Sequence, residues 1–416
     1  MDLSPRRHRL GFWAVAFAFL AVMAFSTLPS PLYGLYQARD GFSSFTVTVI
    51  YGAYAIGVVA ALLLAGHVSD WHGRRRVLVP AISISILSAI VFLVWRDVPG
   101  LIVARIINGL SVGVVAATAT AWLTELHAKA RPHASPLRAQ LTAIGVNIGG
   151  LGLGPVISGA LAQWVGAPLT VPYVVLLVAL AVAVALVALT PETRDRPDPM
   201  PAYRVQRVSV PDEARGAFWN AAWGAFIAFG AQGLFTGLTA TFLVGTLHET
   251  SHLLAGVTVF AVFGAGVLAQ LTLATAPPRR LLVTGTSLMV AGLVVTPIAV
   301  WLSSPSYALF LIGGALTGGG AGAVFKGSIG SVIAITEPHQ RAEALAGIFL
   351  AGYVGLSLPV VGAGVALQFT DARNTLLGFA VIEIVAIVLV ARRMLARDAA
   401  AAAADAGETR REPVTA

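Results

Sequence analysis

Chemistry needs charge or polarity held where water is scarce, and this chain offers few such places. One is the segment Gly66-His-Val-Ser-Asp70-Trp-His-Gly73-Arg74-Arg75-Arg76, in which a single carboxylate stands among three guanidiniums. Its two glycines allow a very short turn. The others are single ionisable residues inside apolar runs: Arg105, Lys326 and Glu383. A charge in hydrocarbon is expensive, so each should face a partner or a wet cavity. The nearest acid along the same helix as Arg105 is Glu125, about 30 Å away. Arg105 must therefore use backbone carbonyls, side-chain amides, water or a bound solute, or snorkel to the headgroups, and Asn108, one turn on, is a further candidate to meet a solute or coupling ion. Lys326 and Glu383 stand at matched depth, which leaves two readings. They form an ion pair, or Lys326 faces a cavity as counter-charge to an anionic group, within a glycine-lined stretch, Gly318–Gly330, that leaves room for a guest.

Neutral polar residues at mid-depth are fewer still, and Asn147 and Gln232 are the candidates to orient a solute, because amides fix orientation in apolar pockets. Soluble-enzyme chemistry has no constellation here. Gly313–Gly322 is glycine-rich but lies inside an apolar run, and no G-K-[ST] follows it. His67, His72, His127 and His133 lack metal-ligand spacing. The chain has no cysteine, which excludes disulfides and thiolate-held metals. No enzyme activity, metal or cofactor is predicted.

These residues must be positioned by membrane helices. Of 416 residues 57% are apolar and 11% charged, with mean hydropathy +0.82. A soluble domain carries about a quarter charged residues. Twelve apolar segments are long enough to cross a bilayer. When the N-terminus is placed in the cytoplasm and the spans alternate, all of the 27 basic residues except Arg39, Arg96, Arg105, Lys326 and Arg373 fall on the cytoplasmic side. Both termini are therefore expected in the cytoplasm. The net charge of +8 then reads as a topology signal that meets lipid, not nucleic acid. A polar, Pro-rich stretch divides the spans equally. The predicted organisation is a six-helix bundle over 1–190, a cytoplasmic loop over 191–216, a second six-helix bundle over 217–396 and a disordered tail over 397–416. Equal halves suggest a parallel repeat that rocks around a midplane site.

The loop Gly66–Arg76 resembles the G-x-x-x-D-x-x-G-R-R/K signature of the major facilitator superfamily, at the same place between the second and third spans. Trp71 departs from it, standing where that family commonly has a basic residue. Arg105-Ile-Ile-Asn108-Gly109 is similar to the family's fourth-span stretch. Gly150-Leu-Gly-Leu-Gly154-Pro155-Val-Ile-Ser158-Gly159 resembles its fifth-span antiporter stretch, with Ser158 replacing a glycine. Pro191-Glu192-Thr193 is also common in the family. The corresponding C-terminal loop, Pro277-Pro278-Arg279-Arg280, lacks the glycines and the acid.

The resemblance implies that Gly66, Asp70, Gly73, Arg74 and Arg75 form a conformational latch. In it, Asp70 meets the start of a helix in the other half and holds the outward-facing state. It also implies that Gly150, Gly154, Pro155 and Gly159 form a hinge. The expected protein is a monomeric secondary transporter of a bacterial inner membrane, exporting a small amphipathic compound against protons by alternating access. Uptake or facilitated diffusion of a small anionic metabolite, with Arg105 and Lys326 as counter-charges, is the alternative within transport. A receptor or enzyme on the same fold that does not transport is the alternative outside it.

Overall fold

A computed structural model of the chain describes residues 4–65, 68–194, 203–206, 210, 214–337 and 340–409. Gly66 and His67 lie outside the described residues, as do most of the central linker and 410–416. Among the described residues there are twelve helices long and apolar enough to span a membrane. They are α1 Pro5–Thr27, α2 Ser44–Ala65, α3 Arg74–Val94, α4 Val98–Ala130, α5 Leu137–Trp164 and α6 Val171–Ala188. The second six are α7 Arg215–Leu247, α8 His252–Thr272, α9 Pro278–Trp301, α10 Tyr307–Ile335, α11 Arg341–Ala366 and α12 Ala372–Thr409. Where Pro29 and Pro31 interrupt the ladder, α1 passes through a 3-10 turn, Ser30–Leu32, into a short helix, Tyr33–Asp40. That helix stops at Gly41, whose φ of 71° is left-handed. At its far end α12 continues as helix to Thr409, beyond the boundary at 396 read from the sequence.

Three helix starts carry side-chain caps. Asp97, Ser251 and Ser306 accept hydrogen bonds from the N–H groups of Gly100, Leu254 and Leu309. These three caps share one face of the molecule, opposite the face that carries the start of α1, the polar end of α12 and Arg74–Arg76, here called the basic face.

Packing repeats with a period of six helices. In the first group α1 packs on α4, α5 and α6, α4 packs on α2 and α3, and α3 packs on α6. In the second, α7 packs on α10, α11 and α12, α10 on α8 and α9, and α9 on α12. The groups meet through two equivalent pairs, α5 with α8 and α2 with α11. The outer helices α3, α6, α9 and α12 turn large apolar side chains outward, among them Leu87, Val178, Ile298 and Ile382. A bilayer solvates such faces, and the polar backbone is satisfied inside each helix.

Candidate transport cleft

Both contacts between the groups lie towards the face opposite the basic one. There Gly159 of α5 lets the His252 carbonyl approach, and Gly256 of α8 lets the Pro155 carbonyl approach, each so closely that a Cβ would collide with backbone. The Gln163 side chain of α5 then caps α8 across the seam. Its Oε1 accepts from the His252 N–H at 3.1 Å and the Ser251 hydroxyl at 3.3 Å. On the other seam Gly52 and Thr48 of α2 meet Val361 and Gly364 of α11. Towards the basic face the seam opens. Gly152 still touches Phe260 of α8, whereas Gly149 and Gly145, one and two turns nearer the basic face, meet open space. The α5–α8 seam is therefore close at one end and parted at the other, which bounds a candidate cleft open towards the basic face.

At the sealed head of this cleft lies a polar cluster built by α1, α2 and α4. Arg105 is 2% exposed, and its Nη1 donates to the Ser26 carbonyl at 2.6 Å. Its guanidinium lies over the Tyr54 ring at 4.5 Å and the Tyr51 ring at 5.6 Å. Carbonyl and ring faces thus hold the charge, and no acid pairs with it among the described residues. One turn on, Asn108 is fully buried with neither amide atom hydrogen-bonded, and the hydroxyls of Tyr33 and Tyr51 and Nε of Arg105 also lack partners. Buried polar atoms are nearly always bonded, so this much unmet capacity in one place suits a bound solute or water.

The second group supplies an aromatic wall. Ring centroids run Phe349–Phe325 at 5.7 Å, Phe325–Phe229 at 4.9 Å, Phe229–Tyr353 at 5.7 Å and, across the seam, Tyr353–Tyr54 at 6.3 Å. Asn147 stands half-buried on the open part of α5. Gln232 lies deeper on α7, its Nε2 3.7 Å from where Gly266 would carry a Cβ. The sequence candidates Arg105 and Asn108 are thus brought together, while Asn147 and Gln232 belong to different walls.

Lys326 and Glu383 do not meet, which overturns the ion-pair reading. The Lys326 ammonium donates instead to the carbonyls of Gln270 at 2.8 Å and Ala274 at 3.2 Å, where α8 ends and its last carbonyls lack helical donors. The room for a guest along Gly318–Gly330 is also absent. Gly318 and Gly322 press on α8 at Val262 and Gly266, and Gly320 presses on α9 at Met289, so these glycines serve close helix packing. Glu383 sits elsewhere, 5% exposed among α7, α11 and α12.

Around the expected latch, charges concentrate within the first group. Arg74 is 3% exposed and bonds three ways: Nη2 to Asp70 at 2.7 Å, Nη2 to Glu125 at 2.8 Å, and Nη1 to Ser69 at 2.7 Å. Glu125 also accepts from Thr193 at 2.6 Å and Arg194 at 2.9 Å. Glu192 caps the start of α3 through the N–H groups of Arg74 and Arg75, at 2.9 and 3.0 Å. Gly73 has φ of 93°, and a Cβ there would strike the Glu192 carboxylate. Asp70, 47% exposed, thus pairs inside its own half here. Sequence reading noted Glu125 and Glu192 without giving them this role; the alternation of Arg74, Glu125 and Arg194 across three helix ends carries no local spacing.

The expected hinge residues separate into two surfaces. Gly150 and Gly154 face α1 at Met23 and Ala24, whereas Gly159 and the Pro155 carbonyl face α8. Pro155 removes the N–H that would serve the Leu151 carbonyl, and the Thr27 hydroxyl of α1 donates to that carbonyl at 2.8 Å.

Comparison with known proteins agrees with this architecture. The family model described as Major Facilitator Superfamily matches residues 15–294. Among solved structures, a mutant of the nucleoside transporter NupG aligns with TM-score 0.65 and 15% identity over 93% of this chain and 99% of that one. The human organic anion transporter MFSD10 (TETRAN) aligns with TM-score 0.65 and 16% identity over 92% and 99%. Over 92 residues the chain is 34% identical to the arabinose-proton symporter of Bacillus subtilis (strain 168), a match spanning 22% of this chain and 20% of that protein. Twelve helices in two repeating groups of six, and a family match over most of its length, place this chain in the Major Facilitator Superfamily of multi-pass membrane transporters.

Proposed function

We propose that the protein is a proton-coupled secondary transporter, acting as a monomer, that moves a small amphipathic organic compound out of a bacterial cell across its plasma membrane. The halves 1–190 and 217–396 rock about the cleft, and the basic face is cytoplasmic, as the bias of arginine between loops supports. The observation that carries the reading is the cleft itself. It opens on the basic face, and its head joins the aromatic wall of Phe229, Phe325, Phe349 and Tyr353 to unsatisfied polar atoms on Arg105, Asn108 and Tyr51. Such a site fits a solute with an apolar ring at one end and hydrogen-bonding groups at the other.

The latch and hinge have roles in this cycle. Asp70 leaves Arg74 and meets the second half when the basic face closes, and Gly159 and Gly256 part when the opposite face opens. Import is the second reading, and the likeness to an arabinose-proton symporter favours it. Ethidium is a suitable probe, being aromatic and charged. Expressing cells should hold less ethidium than controls, and a proton uncoupler should abolish the difference. In the import case, inverted vesicles lose and whole cells gain a labelled organic anion or sugar on imposition of a pH gradient. No gradient-dependent movement of any such probe would sink both readings.

A further inference from the structure

Glu383 lies near the middle of the apolar span Ala372–Ala396 of α12, where three helices converge. A Cβ on Gly230 of α7 would stand 2.7 Å from the Glu383 carboxylate oxygen Oε1, 3.2 Å from the Pro359 ring and 3.4 Å from the Gly355 carbonyl of α11. Glycine at 230 is what leaves space for the carboxyl. No hydrogen bond or ion pair to Glu383 occurs among the described residues, and its Oε2 is a buried atom without a partner.

Charged and titratable groups on the packed elements stand away from it. Arg215 opens α7, Arg279 and Arg280 open α9, and Arg341 and Glu343 open α11. Tyr353 turns its ring to Phe229 and Tyr54. On α12 itself Arg373 begins the helix, and Arg392 and Arg393 lie beyond the carboxyl towards the basic face.

The Glu383 carboxyl and the Gly355 carbonyl border the same Gly230 position. Pro359 lacks the N–H that a helix would aim at the Gly355 carbonyl. A carboxylate can only accept, and beside a carbonyl it is repelled; a carboxylic acid has one O–H to donate. A bare carboxylate at mid-membrane without a cation is prohibitive, so this pocket holds the neutral acid.

The place of the pocket links it to movement. On α11 the next turns after Gly355 and Pro359 carry Val361 and Gly364, which hold α2 across the seam, and Gly237 of α7 rests on Tyr51 of α2. Resting on the proton-coupled reading above, the geometry points to Glu383 as the proton-binding site of this transporter. It takes up its proton when the cleft opens opposite the basic face, favours the arrangement open on the basic face while protonated, and gives the proton up there when α7 and α11 move and admit water. In that step the O–H bond breaks, its electron pair stays on the carboxylate, and the proton passes to water.

The chain has no native cysteine, so Gly149→Cys gives a single reporter on the open wall of the cleft. Its labelling by an impermeant maleimide is read in three backgrounds, Glu383 unchanged, Glu383→Gln and Glu383→Asp, so that the thiol chemistry is common to all. Raising the pH from about 6 to about 9 should slow labelling about tenfold in the unchanged background relative to Glu383→Gln, which stays open. Glu383→Asp should retain a pH response with a displaced midpoint. A pH-independent Glu383→Asp, or a Glu383→Gln that responds as the unchanged protein does, overturns the assignment. If proton-driven ethidium movement persists unaltered in Glu383→Gln, the assignment fails and proton coupling stands. If the unchanged protein shows no proton-driven movement of any probe, proton coupling fails and the assignment falls with it.

Discussion

Arg105 shows what a buried charge does when no acid answers it. Its contacts are a backbone carbonyl and two aromatic faces, with Nε left unbonded. Such an ion is held by packing at a net expense, and replacing it with an apolar group of similar length is often neutral or stabilising. Arg105→Met is therefore expected to melt within about 1 kcal/mol of the parent, or above it, while transport is lost. A destabilised variant that still transports would make Arg105 a packing residue. Lys326 makes the opposite case. Its bonds to Gln270 and Ala274 finish α8, so Lys326→Ala should cost about 1–2 kcal/mol, and combining it with Glu383→Gln should give no rescue because the two side chains do not touch. Thermal melting of the singles and the double checks this. The sequence told which residues were under constraint, since ionisable groups in apolar runs are few, and Arg105 does use a carbonyl as one of its expected partners. It misled on partners because matched depth says nothing of azimuth: Lys326 turns to α8, and Glu383 turns to α7 and α11.

Helix positions were the most legible feature, because hydrophobic length is set by the bilayer and needs no tertiary information. All twelve spans stand where apolar runs occur; the differences are the break of the first run at Pro29 and Pro31 and extensions at polar ends. At such an end α12 runs past 396 to Thr409, since strong helix formers extend a helix into water regardless of where the membrane stops. The roles of proline were only half legible. A proline in a span shows that a carbonyl is freed, not what satisfies it. For Pro155 the answer is Thr27 on another helix, 124 residues away in sequence. Thr27→Val keeps the shape and removes the donor, which should lower stability by about 1–2 kcal/mol, whereas Thr27→Ser should restore it. Equal melting of all three would mean that the Leu151 carbonyl finds another donor.

At the scale of the whole molecule, the proposed function rests on the balance between two arrangements of similar halves, both of which one sequence must encode. The contacts that seal the face opposite the basic one are backbone approaches at Gly159 and Gly256, completed by Gln163 capping α8. A Cβ on Gly149 or Gly145 of α5, nearer the basic face, would meet nothing within 4 Å among the described residues. No spacing rule foretells such a seam, because the glycines that face α8 and those that face α1 alternate along one helix. A branched side chain at 159 must meet the His252 carbonyl backbone, which cannot turn aside as a flexible side chain could. Gly159→Val is therefore expected to disfavour this sealed arrangement by about 2 kcal/mol, shifting the population some thirtyfold towards the state closed on the basic face. Gly154→Val, by contrast, strikes α1 within its own half and should reduce yield without altering that balance. Labelling of Gly149→Cys separates the two outcomes: it should slow sharply beside Gly159→Val and remain fast beside Gly154→Val in whatever protein accumulates. Adding Asp70→Asn removes the acid expected to hold the basic face shut, so it should return part of the lost labelling. Unchanged labelling beside Gly159→Val would mean that the α5–α8 seam does not hold the halves together.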